Sequence, residues 1–178
     1  MKKILLSVVV AISFCLAAQA QSEEIKFGVK GGVNFTNFDS DGADSDGKTG
    51  FYVGGLVDLP VSGNFHIQPE LLYSSEGADD ASLDYIRILV MAKYYVMEGL
   101  SFQAGPEIAF KVGSEDDFVD NATKSIDFGI GGGAAYELPM GVFFDIRYNV
   151  GIADISDSDA DVGKVHNTGL QIGAGYRF

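Results

Sequence analysis

The chain has 178 residues, with 25 acids against 12 lysines and arginines, a net charge of −13 and a single cysteine. That balance excludes a general binder of nucleic acid, whose phosphates require facing cations. One cysteine excludes an internal disulfide framework or a cysteine-built metal cluster, and the length suits one domain.

After Met1 come Lys2 and Lys3, an apolar run from Ile4 to Leu16, and Ala18-Gln19-Ala20. This is the n-region, h-region and small-residue pattern of a cleavable signal peptide, so residues 1–20 are expected to be removed before Gln21. The apolar run is about thirteen residues, shorter than the roughly 20 that a spanning helix needs. Cys15 lies inside it, and Phe14 occupies the place where a lipidated cysteine wants a small neighbour. Loss of Lys2 and Lys3 leaves residues 21–178 still more acidic, with no apolar run long enough for a transmembrane helix.

From there the sequence alternates with period two, the pattern of strands with two unlike faces. Eight segments are predicted: 25–35, 51–59, 65–73, 85–96, 100–112, 126–138, 142–152 and 169–178. Their connections alternate in length. Pro60–Asn64, Met97–Gly99 and Pro139–Gly141 are short; Thr36–Gly50, Ser74–Asp84, Gly113–Ser125 and Ala153–Thr168 are long. Short turns on one side and long loops on the other describe an outer-membrane barrel, with turns toward the periplasm and loops outside.

One face of these strands is apolar throughout, from Phe27, Val29, Val33 and Phe35 through Phe51, Leu71, Ile88, Phe102, Phe128 and Ile146 to Ile172, Tyr176 and Phe178. The other carries Lys26, Lys30, Asp58, His66, Glu70, Arg87, Lys93, Glu107, Lys111, Asp127, Glu137, Asp145, Arg147 and Arg177, with glycines such as Gly129, Gly131, Gly133, Gly173 and Gly175 among them. A soluble barrel of the lipocalin kind also alternates, so volume decides. Eight strands enclose an interior barely wide enough for side chains, and all the aromatic and branched residues together overfill it. Glycines on an outward face weaken strands without a reason; pointing inward, they make room for Arg, Lys and Glu. The fold class is therefore all-β, an eight-stranded antiparallel transmembrane barrel in up-and-down order. Its interior charges, seven bases and six acids besides His66, nearly balance and are expected to pair as structural filling, since buried charges are tolerated only in pairs.

Two local features test the register. Pro69 and Pro106 fall mid-strand, where a closed barrel has no edge to hide a missing N–H, so a bulge or bend is expected at each. A five-residue turn from Pro60 to Asn64 sets Leu59 opposite Phe65 and Asp58 opposite His66, both inside the bore near its periplasmic end. Directly opposed residues have Cβ atoms about 4.5–5.5 Å apart, close enough to pair, and the expected role is a structural rivet.

The order and spacing of several motifs resemble the outer-membrane barrel domain of Bacteroidetes proteins called PorT-like. They are Gly28-Val29-Lys30-Gly31-Gly32-Val33-Asn34, Gln68-Pro69-Glu70-Leu71-Leu72-Tyr73, Lys93-Tyr94-Tyr95, Ala104-Gly105-Pro106, Asp127-Phe128-Gly129, Arg147-Tyr148-Asn149-Val150-Gly151 and the ending Gly173-Ala174-Gly175-Tyr176-Arg177-Phe178. The resemblance covers residues 21–178. It implies an eight-stranded barrel inserted by the barrel-assembly machinery, which reads the alternating last strand, with Tyr176 and Phe178 as the insertion signal. The expected partners are outer-membrane lipid and lipopolysaccharide, that machinery and periplasmic chaperones, and the barrel is expected to be a monomer. One member of that group is linked to type IX secretion, but fold does not fix function.

Candidate chemistry outside the bore is sparse, and no cofactor is expected. His166 ends an acidic connection holding Asp159 and Asp161 beside Ser156 and Ser158. This is a conceivable hydrolase constellation at the rim, read here as a solvated histidine, so no catalytic residue is assigned. The long connections hold sixteen acids against Lys48, Lys124 and Lys164, and clustered carboxylates suit divalent cations. Asp39, Asp41, Asp157, Asp159 and Asp161 are the candidate ligands. The Asp157 run starts like a calcium loop, but Val162 stands where a glycine belongs and no glutamate closes it. The expected function is a non-enzymatic barrel with acidic surface loops, for surface interaction or membrane integrity. The alternatives are a rim enzyme acting on lipid or peptide, a small passive channel and a type IX secretion accessory.

Overall fold

The structure, a computed structural model, describes residues 24–40, 43–44, 48–78, 81–114, 126–152 and 166–178. The period-two pattern becomes nine strands: β1 (Lys26–Ser40), β2 (Ala43–Asp44), β3 (Lys48–Ser62), β4 (Phe65–Ala78), β5 (Ala81–Tyr95), β6 (Leu100–Ser114), β7 (Ile126–Glu137), β8 (Val142–Gly151) and β9 (His166–Arg177). Sequence neighbours pair antiparallel, and β9 pairs with β1 from Gly28↔Arg177 to Asp39↔His166, which closes the sheet. Strand β2 is a two-residue addition to the end of β1. The rest form an eight-stranded antiparallel barrel.

The ladder fixes the barrel's stagger. Partners followed once round from Gly28 run through Leu56, Glu70, Leu89, Glu107, Gly129 and Gly151; extending the β8–β9 register one rung beyond Val150↔Thr168 leads to Asn167 and back to β1 at Phe38, ten residues along. Strands so staggered tilt strongly to the axis, and eight of them leave a bore that side chains fill.

Burial alternates residue by residue, as along β8, where Phe143, Asp145, Arg147 and Asn149 are buried while Phe144, Ile146, Tyr148 and Val150 are exposed. The exposed side is the apolar one: Phe27, Val29, Leu71, Phe102, Phe144 and Tyr148 are each more than half exposed. In water so large an apolar surface is a liability; against lipid it is the required finish for a closed barrel. Aromatic rings gather at the turn end, where Phe65, Tyr94 and Phe102 are successive ladder partners and Tyr136 partners Phe144. Leu59 departs from the pattern, buried despite its outward parity.

The strands outrun the sequence-based boundaries at the loop end. Strand β1 continues to Ser40, β3 starts at Lys48, β4 runs to Ala78, β5 starts at Ala81, β6 ends at Ser114 and β9 starts at His166. The expected connections are shortened accordingly, most of all between β4 and β5. Apolar alternation reports the membrane band, about 25 Å tall, whereas a 15-residue strand extends roughly 50 Å along its own axis at about 3.4 Å per residue and so rises about 40 Å when tilted by about 40°. A ladder needs only backbone partners, so it persists past the lipid-facing band.

The prolines also differ from expectation. Neither carries a bulge: Leu56↔Glu70 and Leu59↔Ile67 share one register on either side of Pro69, as do Leu89↔Glu107 and Ala92↔Ala104 around Pro106. Two rungs drop out of one ladder beside each proline, and the ladder on its other side continues through Pro69↔Val90 and Pro106↔Ile130. One absent N–H costs rungs on one side only, which the closed sheet absorbs. The register shifts lie instead between Pro60 and Ser62, before the tight turn at Gly63 and Asn64, and between Asp84 and Tyr85 at the loop end of β5.

The other two turns are near copies. Val96 N–H donates to Leu100 O at 3.0 Å, and Leu138 N–H to Val142 O at 2.7 Å. Gly99 and Gly141 close them with φ of 79° and 89°, left-handed values that glycine alone adopts without strain.

Candidate functional site: the charged bore

Inward parity brings residues from all eight barrel strands into one narrow space. Lys30, Asp58, Glu70, Arg87, Lys93, Glu107, Asp127, Asp145, Arg147 and Arg177 are buried there. His66, Lys111 and Glu137 are half-buried, and Lys26 is exposed at the turn-end mouth. Their partners lie across the bore more often than along a strand, and they form two clusters.

The central cluster joins β1, β4 and β8. Arg147 donates both terminal nitrogens to Glu70, at 2.9 Å to Oε2 and 2.8 Å to Oε1. Lys30 Nζ donates to Asp145 Oδ2 at 2.7 Å and lies 3.7 Å from Glu70 Oε2, with all four side chains at most 2% exposed. Two cations and two carboxylates balance, and the Arg–carboxylate fork has the bidentate geometry that makes such pairs strong. Glu70 on β4 and Arg147 on β8 stand four places apart among eight barrel strands, on opposite walls, so their side chains span the bore.

The second cluster fills the turn end. His66 Nδ1 meets Asp58 Oδ1 at 2.5 Å, while Lys93 Nζ and Arg177 Nε approach Asp58 Oδ2 at 3.3 and 3.4 Å. Arg177 also donates to Glu137 and rests on the Phe143 ring, 4.3 Å from its centroid. Lys93 donates to Tyr95 Oη at 2.7 Å, and Tyr95 donates on to Glu137 Oε2 at 3.0 Å. Gln68 couples the clusters, since its amide donates to Glu70 Oε1 at 2.6 Å and accepts from Arg177 at 2.8 Å. Toward the loop end Arg87 pairs with Glu107 at 3.4 Å and Asn34 donates to Ser74 at 2.8 Å.

Asp58 and His66 therefore meet, though not in the expected register. His66 stands opposite Pro60, two residues from the Asp58 position derived for it. The bulge before a two-residue turn shifts the pairing by an even number, which keeps both side chains on one face and lets them touch diagonally.

A reading keyed on charge passes over the uncharged filling. Gln68, Gln103, Asn149, Gln171 and Asn34 are buried in the bore, as is an apolar cluster of Tyr52, Leu72, Leu89 and Met91. Parity alone was the available signal for all of them. Of the candidate cation ligands, Asp41, Asp157, Asp159 and Asp161 fall outside the described residues; Asp39 lies on β1 directly opposite His166 on β9. Among the described residues no three His, Cys, Asp or Glu side chains are grouped to hold a metal ion.

A closed antiparallel sheet, apolar outside and charged within, defines a transmembrane β-barrel. The chain belongs to the outer membrane protein β-barrel domain family, which it matches over residues 6–178. Among solved structures it is similar to Neisserial surface protein A, at 17% identity and a TM-score of 0.63 over 88% of this chain and 100% of that one. It is also similar to Ail, the attachment invasion locus protein of Yersinia pestis, at 16% identity and a TM-score of 0.56 over 88% and 100%. At these identities the likeness is one of fold. No curated protein sequence matches the chain.

Proposed function

We propose that this chain is a non-enzymatic outer-membrane barrel that displays acidic connections at the cell surface, where they serve surface interaction or membrane integrity. The observation that carries this reading is the central cluster, in which the cations of Arg147 and Lys30 balance the carboxylates of Glu70 and Asp145 in the middle of the bore. A bore filled in this way supports a scaffold rather than a conduit. In this reading residues 1–20 are a cleaved leader and residues 21–178 the monomeric barrel domain. Kinship to the Bacteroidetes PorT-like barrels rests on the ordered motifs alone, and type IX secretion is not carried over with it.

The acidic connections narrow the partner. Ail has been solved with the heparin analogue sucrose octasulfate; sixteen acids against three lysines in the loop-end strand tips and connections of this chain oppose such a polyanion. The same acids meet phosphate-bearing lipopolysaccharide only through divalent cations, which take carboxylate and phosphate oxygens together. The test replaces the acids of residues 36–48 and 153–165 by Ser and Asn. Entry of a hydrophobic dye into cells is then followed at low and millimolar Mg²⁺. Increased entry at low Mg²⁺ is the expected result, and unchanged entry together with unchanged cell-surface binding would overturn the reading. A stable single-channel current from the wild-type barrel in a planar bilayer would favour a passive channel instead.

One observation favours a rim enzyme as the second reading: the ladder sets Asp39 directly opposite His166 at the loop end. His166→Ala with unchanged lipid A and unchanged surface proteolysis excludes it.

A further inference from the structure

The turn-end mouth of the barrel contains a cavity of about 570 Å³, within the roughly 300–1,000 Å³ range of small-molecule sites. Met97, Tyr136, Leu138 and Pro139 supply the apolar part of its rim, and its polar groups are Lys26, Asn64, His66, Tyr95, Glu98 and Glu137. We propose that this cavity is a binding site for a primary ammonium group on a short alkyl stem, with Glu137 and His66 as the acceptors and the apolar rim as the seat of the stem.

The acceptor atoms are defined by what the neighbouring groups already use. Glu137 Oε2 takes Arg177 and Tyr95, whereas among the described residues Oε1 has Lys26 Nζ at 3.6 Å, from a side chain that is half exposed. His66 commits Nδ1 to Asp58, which leaves Nε2 as its other ring nitrogen, and its ring stands edge-on to Tyr95 with centroids 4.8 Å apart. Asp58 is itself held by Lys93 and Arg177. It therefore accepts the Nδ1 proton, and Nε2 presents a lone pair when the imidazole is neutral. Two acceptors at the back of a cavity with an apolar lip match a donor-rich, positively charged head on a hydrocarbon body. Lys26 acts as an internal placeholder: its ammonium sits on Glu137 Oε1 at a distance too long for a tight pair, through an exposed contact worth little. A ligand ammonium displaces it without breaking the buried network.

The full chain, refolded in lipid nanodiscs, is titrated with 1,5-diaminopentane, with N-acetyl-lysine methylamide as the peptide-borne source of the same group, and with pentanoate as the anionic control. Amide signals of Gly63, Gly99 and Glu137 should shift saturably with the amines and not with pentanoate. Lys26→Ala should tighten binding about two- to fivefold, the value of one exposed ion pair, and Met97→Ala with Tyr136→Ala should weaken it. Glu137→Gln should abolish it, and if that variant does not fold, the Lys26→Ala gain decides. A response to diaminopentane alone assigns the site to free polyamines, and a response to both amines includes peptide side chains. No saturable shift, an equal response to pentanoate, or weaker binding by Lys26→Ala overturns the proposal. These outcomes are independent of dye entry and of the loop acids.

Discussion

Arg147 grips Glu70 through both terminal nitrogens across the full width of the bore, although 77 residues of chain separate them. Both side chains are fully buried, so each is costly to leave alone. Removing one member of a buried pair typically costs about 3–5 kcal/mol, while replacing both by apolar groups of similar volume is often neutral. Arg147→Met should therefore lower the urea stability of the refolded barrel by about 3 kcal/mol. Arg147→Met with Glu70→Leu should recover most of that loss. Losses that simply add in the double variant would show that the fork contributes no coupling energy.

The hairpin rivet makes a second prediction. His66 and Asp58 lie 2.5 Å apart, with His66 ring-to-ring against Tyr95. A hydrogen bond to a charged group contributes about 1.5–3 kcal/mol, here reduced because His66 is partly exposed. His66→Ala should cost about 1 kcal/mol or more of stability at pH 5.5, and His66→Phe, which keeps only the ring contact, should not restore it. Unaltered unfolding midpoints in both variants would show the contact to be incidental.

These two pairs mark how far the sequence is legible. Strand number, the two faces and the turn positions follow from local alternation and from Gly99 and Gly141. The Asp58–His66 contact is reachable because eight residues separate the partners, yet its register was wrong by two, since no local signal announces the bulge before Gly63. The Arg147–Glu70 fork was out of reach. It depends on the barrel's stagger, which only the summed register of every ladder fixes. Strand ends at the loop side were missed for a different reason: polar residues such as Thr36, Asn37 and Asp39 lack the apolar alternation but still complete a backbone ladder.

Glycine placement yields a third prediction, with a built-in control. A Cβ on Gly175 runs into the Phe143 ring, and one on Gly173 into Tyr52 Oη. Phe143 is the ring on which Arg177 rests, so Gly175→Ala displaces an aromatic that supports the turn-end cluster. Overpacking of this kind costs about 1–3 kcal/mol. Gly132 faces lipid, and its nearest neighbour to a new Cβ is Gln103 O at 3.8 Å. Gly132→Ala should be neutral or slightly stabilising, because alanine restricts the unfolded chain. Equal losses from Gly175→Ala and Gly132→Ala in chemical unfolding would refute the steric account.

The chain terminus allows stability and assembly to be separated. Phe178 N–H donates to Phe27 O at 2.9 Å, and Arg177 N–H to Gly141 O at 2.9 Å, so these two residues are tied to β1 on one side and to the turn before β8 on the other. The Phe178 ring is 69% exposed and its main ring contact is Tyr176, 6.4 Å away. Substitution by alanine keeps the backbone bond and removes only a lipid-facing ring, a surface change expected to alter stability by about 0.5 kcal/mol. If the assembly machinery reads Tyr176 and Phe178, the cellular effect should be far larger than that. Phe178→Ala should leave the refolded barrel's urea midpoint nearly unchanged, yet reduce heat-modifiable barrel in cells and increase degraded periplasmic chain. Deletion of Phe178, which also removes the bond to Phe27, should lower both. Wild-type amounts of assembled Phe178→Ala barrel on unboiled gels would end the insertion-signal reading, whereas parallel losses in cells and in refolding would assign the ring a purely structural role.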